Sequence, residues 1–360
     1  MDKRVAVIIV TFNASKYLGE LFSSLQKLNY PRDKFEIVVV DNASTDDTWE
    51  NLKSQISNLK KNGLQATSYK LQANSGFVGG NNIGLQYAIE NNFDYAYMLN
   101  QDTVVDSNFL NEVVRVAERD EKISAVQSLL LLYDKKDIIN GYGNQIHYLG
   151  LAYAGGNGKK VSSFKFQVSG QEITYPSGAG VLLRCETLKR IGLLNPDLFM
   201  YHEDVDLGWR MWLAGYKVML APQSIVYHKY EFSRSIRKYY FMERNRLIVV
   251  FENYKIGTLA IIFPALFIME VMLFPYTFLV SGFWKEKLKA YIYFFKPDSW
   301  KRIFEARKKI QSLRRISDRE IMKKFVGVVE FQEKTNPLVK YVFNPIFYIY
   351  LKAIRIIVVW

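Results

Sequence analysis

The chain has 360 residues, 49% hydrophobic and 23% charged, enough for a packed core and unlike a disordered chain or a polytopic membrane protein. Its single cysteine, Cys185, excludes an internal disulfide framework and fits a reducing compartment. Residues 1–228 carry 23 Lys+Arg against 24 Asp+Glu, and residues 229–360 carry 25 against 11, so the net charge of +13 divides into −1 and +14. A near-neutral body with a basic tail points to a partner of distributed negative charge, a membrane surface or a nucleic acid.

The first ~130 residues alternate strand and helix signals. Val5–Val10 is a β-branched run, read as a first strand and not a signal peptide because no small-residue cleavage site follows it. Leu18, Leu21, Phe22, Leu25 and Leu28 form a helical stripe over 15–28 with Ser15 as cap. Phe35–Val40 is a second buried strand, followed by a polar run from Asp41 to Asp47 and a helix from Thr48. Tyr95–Leu99 is a further strand ending at Asn100-Gln101-Asp102. Such alternation predicts βαβ units on a parallel sheet, with the ligand at the carboxyl ends of the strands. Thr11–Asn13, Asp41–Asp47 and Asn100–Thr103 all fall there.

Residues 141–180 read as short strands and loops, Arg184–Ile191 and 203–215 as helices, with Gly215 as C-cap. Residues 258–283 hold one charge, Glu270, and two prolines, Pro264 and Pro275. They are long enough to span a bilayer. The basic stretch that follows, 15 Lys+Arg against 7 Asp+Glu over 285–337, would then lie opposite a cytosolic body, against the positive-inside tendency. A broken, shallowly inserted helix pair is the expectation. Residues 300–325 carry Trp300, Ile303, Phe304, Ile310, Leu313, Ile316, Ile321 and Phe325 at helical spacing among basic residues. This is a basic amphipathic helix, lying in a membrane interface or packing its stripe on the protein. Its aromatics sit in apolar runs, so nucleic acid is not the expected partner. Residues 251–360 are therefore read as a helical, membrane-associating region behind a body of residues 1–250.

Five constellations carry chemistry. Asp41, at a strand end, can accept the N3–H of uracil or thymine, or serve as a turn. The run from Asn74 to Gly84 has the glycines for close approach to an anion at a helix start, or for packing that helix. Asp102 can anchor a divalent ion between two phosphates. Glu203, Asp204 and Asp206 place three carboxylates within four residues, more than a helix dipole asks for, and one of them can act as general base. Asp206 and Arg210, at i,i+4, also fit a helical ion pair. His228, at the end of another strand-like run, is a metal ligand or an ordinary imidazole.

In this order the segments VAVIIVTFN, VVVDNASTDDT, NSGFVGGNNIG, LNQDT, PSGAGVLLR, YHEDVDLGWRMWLAGYKV and VYHK resemble the family 2 inverting glycosyltransferases, over residues 4–250. The resemblance implies a GT-A fold, an α/β mixed sheet with helices on both faces, and a nucleotide-diphosphate sugar donor. NSGFVGGNNIG and HEDVDLGWR look closest to bacterial rhamnosyltransferases, which implies dTDP-rhamnose, with UDP-sugars as the alternative. By position it implies Asp204 as catalytic base, with Glu203, Asp206 and Arg210 as further catalytic or acceptor-binding groups. Thr11, Asn13, Asp41, Asn74, Gly76, Phe77, Gly80, Asn81 and Asn100 would hold the nucleotide, and Asp102 and His228 a Mn²⁺ or Mg²⁺ ion. Asn100 replaces the first acid of the DxD-like motif, so the metal site has one charge fewer. Arg244-Asn245-Arg246 stands where processive members carry Q-x-x-R-W, so few sugars are expected per binding event. The expected setting is the cytoplasmic face of the cell membrane, with a saccharide acceptor on a lipid. Rival readings are a nucleotidyltransferase, whose Gly-rich basic loop after the first strand is missing from TFNASKY, and a membrane-associated scaffold, which leaves the acidic cluster idle.

Overall fold

A computed structural model describes residues 3–230, 238–278, 282–329, 337 and 339–360. The chain divides into two compact units. The first comprises Met1–Asn144, Ala154–Gly208 and Tyr216–Tyr230; the second comprises Gln145–Tyr153, Trp209–Gly215 and Glu231–Trp360.

The first unit is built on strands β1 (Val5–Thr11), β2 (Phe35–Asp41), β3 (Gln65–Lys70), β4 (Tyr95–Asn100), β5 (Thr103–Val105), β6 (Ile123–Leu132) and β7 (Ile139–Gly141). A small hairpin, β8 (Asn144–Ile146) with β9 (Ala152–Ala154), stands apart from the main sheet. Strands β10 (Gln171–Glu172), β11 (Gly180–Arg184) and β12 (Lys217–His228) complete the main sheet in the order β10-β12-β6-β11-β4-β1-β2-β3, with β5 on β12 and β7 on β6. The block β3-β2-β1-β4 is parallel, and β11 joins it antiparallel, so the sheet is mixed.

Alternation along β1 assigns the two faces. Val5, Val7 and Ile9 belong to the core shared with α1 (Ser15–Leu25), α2 (Thr48–Lys61) and α4 (Phe109–Ala117). Ile8 and Val10 point the other way, onto α3 (Gly76–Glu90). Full burial of each such aliphatic side chain contributes about 1.5–3 kcal/mol. Both faces of the sheet are thus covered by helices, as the continuous β-branched runs predict. Ser15 is not the cap of α1. Ala14 holds that position, and its N–H is satisfied by Thr48 Oγ1 at 2.7 Å, while the helix ends at Leu25 and not at Leu28.

Helices α5 (Cys185–Ile191) and α6 (Glu203–Leu213) follow the sequence expectation, and Gly215 takes φ 84°, the left-handed turn that ends α6. The second unit holds α7 (Tyr239–Asn253), α8 (Ile256–Tyr276), α9 (Trp284–Tyr293), α10 (Pro297–Leu313), α11 (Asp318–Lys324) and α12 (Asn344–Ile357). Two tail expectations need correction. Within the apolar stretch α8 runs unbroken through Pro264 and Glu270 to Tyr276, so the expected break does not fall at either residue. Proline at position 264 removes one intrahelical donor without stopping the helix. Residues 279–281 of the stretch lie outside the described residues. The expected amphipathic helix over 300–325 is two helices, α10 and α11, and its apolar stripe largely faces inward: Ile303, Ile310, Ile321 and Phe325 are buried. The stripe therefore packs within the unit.

A charged network ties α7, α8 and α9 together. Arg246 pairs with Glu243 at 3.2 Å and with Glu270, and Lys287 pairs with Glu243 at 2.6 Å and Glu270 at 2.9 Å. Tyr291 donates its hydroxyl to Glu270 at 2.6 Å. Arg246 also donates to the carbonyl of Leu149. Arg246 and Lys287 are fully buried, a placement sustained by two carboxylates shared between them.

Candidate active site

Strand register brings the polar sequence clusters side by side. Thr11 pairs with Asp41 and Val10 with Asn100, so the carboxyl ends of β2, β1 and β4 are adjacent. Asp41 is fully buried. Its Oδ1 accepts from Thr11 Oγ1 at 3.1 Å and Ser44 Oγ at 2.5 Å, and its Oδ2 accepts from the Ser44 N–H at 3.2 Å. A carboxylate offers about four acceptor positions, so Oδ2 retains capacity. Asn13, in the left-handed region at φ 49°, accepts from the Thr45 N–H at 2.9 Å and donates its own N–H to Ser44 Oγ. The loops after β1 and β2 are thereby pinned to each other.

The glycine-rich segment divides by role. Asn74 Oδ1 accepts from the Gly76 N–H at 2.8 Å and from Asn42 Nδ2 at 3.1 Å, and Asn42 Oδ1 in turn accepts from the Ser75 N–H. Gly76 has φ 75°, and a Cβ there would fall 2.3 Å from the Phe199 carbonyl oxygen. A Cβ at Gly80 would fall 2.6 Å from Val10 and one at Gly84 2.3 Å from Ile8. Close packing of α3 on β1 therefore requires glycine at both. Asn81 is buried and donates to the Phe77 carbonyl within the same helix, and Phe77 lies beside Gly178. Asn100 donates its N–H to Ala179 and accepts from Thr103 Oγ1 through its own carbonyl.

Asp102 and His228, 126 positions apart in the chain, face each other. β12 runs antiparallel to β5 with His228 opposite Thr103, which sets His228 Nε2 3.3 Å from Asp102 Oδ1. On the other side of the ring, Nδ1 lies 2.9 Å from Asn140 Oδ1. That oxygen accepts, so Nδ1 carries a hydrogen, and in the neutral ring Nε2 then presents its lone pair toward the carboxylate. Two acceptors at this distance call for positive charge between them, a second proton on the ring or a divalent cation. Among the described residues no group of three or more His, Cys, Asp or Glu converges. A cation here would take two ligands from the protein and the others from phosphate oxygens and water.

The acidic cluster opens α6 after a contorted loop in which Phe199, Tyr201 and His202 have φ of 61°, 64° and 65°. Left-handed backbone is uncommon in residues with a Cβ and gathers at functional sites. Glu203 is buried with Oε2 unpartnered. Burial, then the charges of Asp204 and Asp206, push its carboxyl well above the ordinary range. Asp204 is half-buried and pushed up to about 6 by desolvation, against the N–H groups of Val205 and Gly178 that favour its anion. The Val205 N–H lies 2.8 Å from its Oδ1. Both neighbouring carboxyls are thus raised, and Asp204, at about 6, can release and take up a proton near neutral pH. Asp206 is fully buried. Arg210 is also buried and lies on the part of α6 that belongs to the second unit.

Sequence reasoning missed three contributors. Gln101 Oε1 accepts from the Phe12 N–H at 2.7 Å and its Nε2 donates back to the Phe12 carbonyl, bracing the end of β1. Asn42 bridges the β2 loop to the glycine-rich turn. Asn140 orients His228 from 88 positions away. The first two stood inside noted polar runs; a lone Asn after Ile138-Ile139 carries no local signal.

Residues 6–192 match the family described as "Glycosyl transferase family 2". Among curated proteins, poly(ribitol-phosphate) beta-N-acetylglucosaminyltransferase TarS of Staphylococcus aureus (strain Mu50) is 37% identical over 109 residues, 29% of this chain and 18% of that protein. Poly-beta-1,6-N-acetyl-D-glucosamine synthase of S. aureus (strain COL) is 25% identical over 219 residues, 61% of this chain and 48% of that protein. The chain thus spans less than half the length of either relative. Among solved structures, S. aureus TarS 1–349 in complex with UDP-GlcNAc aligns with TM-score 0.52 at 16% identity, covering 98% of this chain and 88% of that one. GalNAc-T7 with UDP, GalNAc and Mn²⁺ aligns with TM-score 0.54 at 20% identity, covering 69% and 47%. At such identities the likeness shows the fold, a GT-A-type mixed sheet.

Proposed function

Because the chain belongs to glycosyl transferase family 2, we propose that it moves a sugar from a pyrimidine nucleoside diphosphate to a hydroxyl of a saccharide acceptor, inverting the anomeric carbon, in surface-polysaccharide or cell-wall synthesis. The observation that carries the chemistry is the pair Glu203–Asp204 at the start of α6, two adjacent carboxyls raised by burial, Glu203 with an unpartnered buried oxygen and Asp204 facing the Val205 N–H. Asp204 takes the proton of the acceptor hydroxyl as that oxygen forms its bond to the anomeric carbon, and the bond to the donor phosphate breaks with its electron pair on the leaving diphosphate. Burial pushes Glu203 toward its protonated form, which favours less negative charge beside Asp204 and the incoming oxygen. Asp41 offers its remaining Oδ2 position to the N3–H of the base, and Thr11, Asn13 and Asn74 shape the loops around the nucleotide. Asp102 and His228 are the residues that would hold a Mn²⁺ or Mg²⁺ ion, which would supply positive charge to the leaving diphosphate.

For the donor sugar we favour N-acetylglucosamine on UDP, because both curated relatives are named for that sugar. The wording of NSGFVGGNNIG and HEDVDLGWR favours rhamnose on dTDP as the second reading. Incubation with Mn²⁺ and a panel of UDP- and dTDP-sugars, read as nucleoside diphosphate release, tests both. Release from UDP-N-acetylglucosamine above all others is the expected result. Release from dTDP-rhamnose reverses the sugar, and release from no donor overturns glycosyl transfer.

We further place the enzyme on the cytoplasmic face of the cell membrane, acting on a lipid-linked acceptor. Support comes from α8, the one described helix long and apolar enough to cross a membrane. One of its faces is exposed, with Phe263, Phe267 and Val271 at 61%, 59% and 54%, while Glu270 turns inward onto Arg246 and Lys287. A helix with one face anchored by ion pairs and the other apolar and bare suits an interfacial position.

A further inference from the structure

The second unit carries a cavity of about 220 Å³ lined by Tyr240 of α7 and by Lys289, Ile292, Tyr293 and Lys296 on and just after α9. Its chemistry is cationic and aromatic. Lys289 and Lys296 are exposed, and among the described residues neither ammonium has an ion pair. Behind the wall, the buried guanidinium of Arg244 lies 5.3 Å from the Tyr240 ring centroid and 5.1 Å from that of Tyr293. Arg302 lies 5.9 Å from the same Tyr293 ring. Both guanidinium groups are within cation–π range, so the two tyrosines are held by fixed positive charge.

The carboxylates of Glu243 and Glu270 do not offset this charge. Glu243 and Glu270 are committed to Arg246 and Lys287 inside the unit, and both carboxyls are held below their ordinary value by those cations, against burial. An exposed apolar stripe runs through the lining residue Ile292. Leu288, Ile292 and Phe295, at i, i+4 and i+7, expose 43%, 47% and 85% of their surface beside Lys289 and Lys296. A helix that sets a bare apolar stripe against a row of unpaired lysines matches a molecule with an anionic head and an apolar tail.

We propose that this cavity binds a phosphate or diphosphate group, with Lys289 and Lys296 as direct ligands and the Leu288–Ile292–Phe295 stripe accepting an attached hydrocarbon chain. The proposal rests on the membrane part of the reading above and is independent of the catalytic chemistry in the first unit. Two sources share the headgroup chemistry, a lipid in the bilayer and free phosphate, and the test has an arm for each.

The full chain is floated with vesicles of phosphatidylcholine and with vesicles in which about a fifth of the lipid is phosphatidic acid; separately, pyrophosphate is titrated calorimetrically. The double substitution K289E/K296E is compared with K308E/K309E, an equal charge change at exposed positions of α10 outside the cavity. Expected is at least fivefold stronger flotation on phosphatidic acid vesicles, removed by K289E/K296E and largely kept by K308E/K309E. Saturable pyrophosphate binding, lost in K289E/K296E only, would add free phosphate as a ligand of the same site. Equal losses in the two double variants, or a K289E/K296E chain that keeps both its phosphatidic acid preference and any pyrophosphate binding, overturn the site. Equal flotation on both vesicle types with no pyrophosphate binding also overturns it while leaving membrane attachment standing. No flotation on either, with no pyrophosphate binding, removes both. UDP-sugar hydrolysis, measured in parallel, reports on the glycosyl-transfer reading separately.

Discussion

The two units use acidic residues in opposite ways. In the second, Glu243 and Glu270 are each bracketed by Arg246 and Lys287, and their carboxyls are held below the ordinary value. In the first, Glu203 and Asp204 stand next to each other, Glu203 with an unpartnered buried oxygen, and both are pushed up. All four are carboxylic acids and burial is comparable, so the pairing decides. Carboxylates answered by cations hold helices together, whereas carboxyls left to repel each other are poised to exchange protons. The largest effect that tests this contrast is on stability. Glu270→Ala leaves the buried Arg246 and Lys287 with Glu243 as their common carboxylate, and loss of a buried partner costs about 3–5 kcal/mol. Chemical denaturation should show that loss, with hydrogen exchange rising over residues 239–293. An unchanged unfolding midpoint would mean that the network contributes no net stability.

The next effect, on turnover, comes from the first unit. Asp204→Asn should lower kcat by about 10²-fold or more with donor binding kept, the order expected for removal of a general base. Glu203→Gln keeps the size of a side chain that burial pushes toward its neutral form and should stay within a few-fold of the parent. Below pH 6 the proton returns to Asp204, so kcat/KM should fall about tenfold per pH unit and level off above it. A large loss in Glu203→Gln together with a mild one in Asp204→Asn would exchange their roles.

How much of this was legible in the sequence follows from how local each signal is. β1, β2 and β4 announced themselves as β-branched or apolar runs, since strands buried on both faces need no alternation. Asp41, Asp102 and the cluster at 203–206 were legible because strand ends and helix starts fix where a side chain sits. Gly80 read as a ligand contact but meets Val10, because a glycine required for helix packing and one required for ligand approach look alike in sequence. The stripe over 300–325 was seen, but not its break into α10 and α11. Arg314–Ser317, which separates them, lacks glycine and proline. Arg315 N–H instead bonds the Leu213 carbonyl at 2.7 Å, a tertiary contact that propensity does not encode. Asn140 was invisible for the same reason: its partner is brought to it by the pairing of β12 with β6 and of β6 with β7.

The smallest effect belongs to that asparagine, and it separates a metal pair from a chance contact of Asp102 with His228. If the pair holds a cation, Asp102→Ala should weaken Mn²⁺-dependent donor binding most, and His228→Ala less. Asn140 touches neither donor nor ion. It fixes which ring nitrogen carries the hydrogen, and loss of such an orienting partner typically costs 10–100-fold in metal affinity. Because the donor's phosphates supply further ligands, the lower end, about tenfold, is expected for Asn140→Ala. Asn140→Asp keeps an acceptor at Nδ1 and should bind close to the parent. Calorimetric titration of UDP-sugar with Mn²⁺ and with EDTA reads this without turnover. A merely structural asparagine would lower affinity equally with and without the ion, whereas an orienting one loses affinity only in the Mn²⁺ series. Indifference of both series to Asn140→Ala would leave His228 Nε2 free to take either tautomer, and the geometry at 2.9 Å would then have no bearing on metal binding.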